Sequence, residues 1–131
     1  MLQTLVSIMA LLAMVAGGLY LVMGVRAVGL VGVKMSIDPT LPPWHSVDYL
    51  FRAISGVVFA QGLMFAYLVP RIEKHTIWFR FVCLSVFLMG IGRFLSILSL
   101  GVGTNPLLAM ILELTVPPLL VIWQAKLKVD A

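Results

Sequence analysis

Four apolar runs, each long enough to cross a bilayer, leave this chain few ways to fold. They cover roughly residues 2–25, 46–69, 77–100 and 106–124. Hydrocarbon offers no partner to a backbone N–H or C=O, so a lone spanning segment must satisfy its own groups as a helix. About twenty residues are enough. Only 11% of the 131 residues are charged, where a soluble domain carries about 25%. The chain therefore reads as an integral membrane protein forming a single domain. Short connections after the second and third runs favour neighbouring antiparallel helices. The expected fold is an all-α, four-helix transmembrane bundle with up-down topology.

The connections differ in kind. Residues 26–45 form a long loop with Gly29, Gly32, Asp38-Pro39 and Pro42-Pro43-Trp44, whose prolines argue against a continuous helix. Ser46 is placed to cap the second helix, with Asp48 in its first turn, where the helix dipole favours an anion. Pro70-Arg-Ile-Glu-Lys-His75 reads as a tight charged turn, and Pro106 as a first-turn residue of the fourth helix. Small residues let helix backbones approach closely in lipid. Ala13 with Gly17, Gly56 with Ala60, and Gly92 with Ser96 are the candidate packing positions.

Charges inside such runs are costly, roughly 2.5–3.5 kcal/mol on insertion scales, so each needs a partner. Arg93 lies eight residues before Gly101, about 12 Å below that end of its helix. Glu113 follows Pro106 by seven residues, at about 10 Å, and Arg52 follows Ser46 by six, at about 9 Å. With Asp48 and Arg26 these form a candidate charge cluster in one half of the membrane: Arg93, Glu113, Arg52, Asp48 and Arg26. Pro117 and Pro118 displace the carbonyls of Glu113 and Leu114 and mark a helix kink. Arginine, with five donors, can serve both a carboxylate and such freed carbonyls. Three readings stay open: the cluster is an internal clamp fixing helix register, it binds an anionic or polar headgroup, or it forms a proton or ion path.

Little else carries chemistry. Cys83 is the sole cysteine, and His45 and His75 fall in loops on opposite faces, so no metal site is expected. No phosphate loop, catalytic triad or haem-attachment motif is present, and no cofactor is implied. The net charge of +4 reflects topology and anionic lipid, not nucleic acid. Arg71, Lys74, Arg80, Lys126 and Lys128 share one face. By the positive-inside rule both termini are cytoplasmic and the long loop is outside. The first run lacks the basic flank of a signal peptide and reads as a permanent anchor.

Asp48-Tyr-Leu-Phe-Arg52-Ala-Ile-Ser-Gly56, Pro70-Arg-Ile-Glu-Lys, Phe79-Arg-Phe, Gly90-x-Gly92-Arg93-x-x-Ser96 and Glu113-Leu-x-x-Pro117-Pro118-Leu-Leu, in this order, resemble the bacterial domain-of-unknown-function family 4345. The resemblance spans about Leu2 to Lys126 and implies a small four-helix inner-membrane protein; it supplies no activity. A vaguer similarity to DoxX-like proteins, some of which partner quinone-linked oxidoreductases, is one of fold alone. The leading expectation is a non-catalytic accessory subunit of a larger membrane complex or homo-oligomer, among membrane lipids and with a lipid or quinone as candidate ligand. The alternative is a transporter or membrane enzyme for a lipid-like or anionic ligand, with Glu113 as acid/base.

Overall fold

The computed structural model describes residues 1–31, 42–100 and 107–129. The protein is all-α. Four long helices, α1 (Leu2–Met23), α2 (Pro42–Leu68), α3 (Thr76–Leu100) and α4 (Leu107–Val129), are joined by 3-10 segments at Gly24–Val31 and Val69–Arg71. Spans Leu2–Val28, Trp44–Arg71, Thr76–Ser99 and Leu107–Lys126 are each long and apolar enough to cross a membrane. Their outward faces are rich in leucine, isoleucine and valine, as a lipid environment requires.

Boundaries depart from the sequence reading where local chemistry intervenes. The first α-helix stops at Met23 because Gly24 takes a left-handed φ of 61°, a conformation that suits glycine just past a helix end. The second helix begins at Pro42, four residues early. Proline lacks the N–H that a first turn leaves unpaired, so the pair expected to interrupt the chain opens the helix instead. Ser46 thereby lies within α2 and is not its cap. Helix α4 runs on to Val129, past the expected end at Gln124; Ala125-Lys-Leu-Lys128 is good helix-forming sequence with nothing to stop it. After α2, Lys74 and His75 each donate a backbone hydrogen bond to Arg71 O at 3.0 Å, closing the charged turn. The expectations for residues 32–41 and for Pro106 lie outside the described residues.

Two compact units divide the chain, Leu5–Tyr67 and Leu68–Ala131 with Met1–Thr4. In the first, α1 and α2 run antiparallel at close range. A Cβ built on Gly17 would sit 2.6 Å from Phe59 N, and one on Gly62 would sit 2.8 Å from Met14 N. Tyr20 stacks obliquely on Phe51, ring centroids 5.3 Å apart. In the second, α3 and α4 are antiparallel, and a Cβ on Gly90 would meet Leu114 Cγ at 2.9 Å and Glu113 Cβ at 3.0 Å. Glycine at these three positions lets the backbones approach.

Candidate functional site

The last carbonyls of an α-helix have no partner within it, and at the end of α1 they lie in a membrane span. Arg52, reaching across from α2, answers this need. Its Nη1 donates to Leu21 O at 3.0 Å and also to Val22 O, and its Nε donates to Asp48 Oδ2 at 2.7 Å. The other carboxylate oxygen, Asp48 Oδ1, accepts the Val25 N–H at 2.8 Å. Asp48 and Arg52 stand four residues apart and so share a helix face. They cap a neighbouring helix from the side. A side chain at Gly24 would strike the Asp48 carboxylate and approach Arg52 Nε to 2.7 Å, so the turn and the ion pair require each other. Asp48→Ala is expected to lower stability, because it strands the Val25 N–H and leaves the Arg52 guanidinium without its carboxylate. Hydrogen exchange at the Val25 amide should accelerate with it, which mass spectrometry or NMR of the detergent-solubilised protein can read.

The second pair joins α3 to α4. Gly90 brings the helices together, and one turn further on Arg93 Nε donates to Glu113 Oε2 at 2.8 Å. The contact uses one donor of the guanidinium and one oxygen of the carboxylate. Arg93 Nη1 and Nη2 and Glu113 Oε1 make no further hydrogen bond among the described residues. The side chains are 42% and 17% exposed, against 41% and 20% for Arg52 and Asp48. The carbonyls that Pro117 and Pro118 displace are not served by Arg93, which bonds only the carboxylate. Helix α4 continues through both prolines, with Pro117 fully buried and Pro118 half-buried.

The five charges expected together thus divide. Arg93 meets Glu113, Asp48 meets Arg52, the two pairs fall in different units, and Arg26 is exposed and joins neither pair. The packing positions divide too. Gly17 is buried at a close approach and Ala13 half-buried, whereas Gly56 has ordinary contact with Leu21 at 3.6 Å and Ala60 is exposed. Gly92 faces open space, with no atom within 4 Å of a built Cβ, and Ser96 beside it is half-buried.

Gln124 escaped the sequence reading. It is 1% exposed, and its Nε2 donates to Ile72 O at 2.8 Å, tying α4 to the turn before α3. Its Oε1 has no partner among the described residues. An amide in the last apolar turn of a span is the signal that could have marked it. Nearby, a shallow cavity of about 280 Å³ is lined by Met1, Leu2, Gln3, Ile72, Glu73 and Trp123. That is the opposite end of α3 from Arg93, about 26 Å away along the helix, and no member of either ion pair lines it. Among the described residues no three metal-ligating side chains cluster.

Four membrane-length helices braced by intramembrane ion pairs define a small multi-pass, all-α membrane protein. The chain belongs to the family described as a domain of unknown function, DUF4345, whose family model matches residues 1–124. No curated protein and no solved structure matches it.

Proposed function

We propose that the protein is a small non-catalytic membrane subunit, accessory to a larger membrane complex or to its own oligomer, in a bacterial inner membrane with both termini cytoplasmic. One observation carries this reading: the acids within the spans are each engaged by an arginine that braces one helix against another, and neither acid lines the cavity described above. These side chains hold a helix end and a helix face. The orientation rests on the excess of Lys and Arg at residues 71–80 and at the C-terminus.

The test is mild extraction from the native membrane followed by mass spectrometry of what accompanies the chain. A stoichiometric membrane partner or a defined homo-oligomer is the expected result. A lone monomer without partner would overturn it.

A second reading has its own observation. The unused donors of Arg93 and the free oxygen of Glu113 leave the pair able to handle a lipid-like or quinone-like ligand, with Glu113 as the acid/base. Glu113→Gln separates the two. A ligand-handling role loses its membrane phenotype with assembly intact, while a bracing role loses assembly.

A further inference from the structure

Four hydroxyl groups in the spans of this protein close on their own helix. Ser55 Oγ donates to Phe51 O at 2.6 Å, Ser85 to Val82 O at 2.7 Å, Ser99 to Leu95 O at 2.9 Å and Thr115 to Ile111 O at 2.7 Å. This is how a serine avoids an unpaired donor in hydrocarbon. Ser96 does not, and it makes no hydrogen bond among the described residues. Its place explains why that matters. Ser96 lies one turn from Arg93 and one turn from Gly92, so the three occupy a single sector of α3. Gly92 leaves that sector open. Three donor groups without a partner among the described residues, Arg93 Nη1, Arg93 Nη2 and the Ser96 hydroxyl, therefore border an open shelf, with one carboxylate oxygen likewise without a partner among them, Glu113 Oε1, across the ion pair.

We propose that this shelf binds the headgroup of an aminophospholipid, its phosphodiester on Arg93 and Ser96 and its primary ammonium on Glu113. Charge decides the class. The Arg93–Glu113 pair is neutral overall, so a simple anion would also face the carboxylate and a simple cation the guanidinium. A zwitterion presents each charge to its complement. Depth is compatible. Helix α3 has 25 residues, about 37 Å, and overhangs a hydrocarbon core of about 30 Å by a few ångströms at each end. Arg93 lies seven residues before Leu100, hence about 7 Å inside the boundary. Local thinning of the bilayer around an intramembrane arginine covers that gap. The inference rests on the bracing reading of the ion pair, since a broken pair would not present both charges together.

The test uses the intact, delipidated protein in detergent, titrated by native mass spectrometry with phosphatidylethanolamine, phosphatidylcholine and phosphatidylglycerol. One phosphatidylethanolamine should bind about five- to ten-fold more tightly than either of the others. Trimethylation removes the hydrogen bonds to Glu113, and glycerol removes the ammonium. Ser96→Ala should weaken that lipid about three- to ten-fold and leave the unfolding temperature unchanged, because the hydroxyl has no partner among the described residues. Gly92→Leu, which fills the shelf, should abolish the preference. Equal binding of the three lipids, preference for phosphatidylglycerol, indifference to both substitutions, or crosslinking of two copies through position 92 would each overturn the proposal. A failed bracing reading shows separately, as unchanged stability on removing Glu113, so the two failures are distinguishable.

Discussion

Gly17→Leu is expected to be the most damaging apolar substitution in the chain, lowering stability by about 3 kcal/mol, the upper part of the usual range for overpacking. The reason is what a Cβ would meet. At Gly17 it is the backbone of Phe59, with N at 2.6 Å and Cα at 2.9 Å, and backbone cannot swing aside like the end of a flexible side chain. Relief requires α1 and α2 to separate, which would strain the Arg52 and Asp48 bonds further along the same interface. Gly62 should respond similarly, since Met14 N and Ala10 O lie at 2.8 and 3.0 Å. Gly92→Ala is the control. Nothing stands within 4 Å, and alanine is the better helix former by up to about 1 kcal/mol, so stability should hold or rise. Unfolding titrations in detergent would order the variants; equal effects at Gly17 and Gly92 would contradict the packing described.

Glu113→Leu is expected to cost about 2–3 kcal/mol. Removing one member of a buried ion pair typically costs 3–5 kcal/mol; the figure is reduced here because Arg93 is 42% exposed and its long side chain can reach toward the interface. The two partners should not behave alike. Arginine stays charged under all ordinary conditions, so Arg93 stranded by Glu113→Leu keeps its full cost. Arg93→Leu strands two carboxylate oxygens where Glu113→Leu strands five N–H donors, so it should be milder. Equal and negligible effects, read by thermal unfolding in mild detergent, would remove the ion pair from the account.

The fold was legible because hydrocarbon permits so little. Four apolar runs dictated four helices, and their central residues needed no tertiary information. The ends depended on single residues acting in unexpected roles. Pro42 and Pro43 start a helix, and Gly24 ends one by taking positive φ under a carboxylate from another helix. Similar depth made Arg93 and Glu113 candidates for one cluster, without establishing that they touch, and a spacing of four puts Asp48 and Arg52 on one helix face. What depth could not supply was azimuth, the direction each side chain faces around its helix. For that reason Arg26 makes no salt bridge with either pair and meets Asp48 only through longer-range attraction, and Ala60 and Gly92 face outward although their spacing marks them as packing positions. The cap that Arg52 places on α1 joins residues thirty positions apart, and the bond from Gln124 to Ile72 spans more still. No local pattern encodes such contacts.

Whether Arg93 and Glu113 brace α3 against α4 is decided by a double-mutant cycle. Unfolding free energies of the wild type, Arg93→Leu, Glu113→Leu and the double variant would be measured in one detergent or bicelle system. The double variant should be more stable than Glu113→Leu alone, with a coupling of about 1–3 kcal/mol, as for residues sharing one ion pair. Additive effects, with coupling indistinguishable from zero, would contradict it and leave the two charges as independent surface groups.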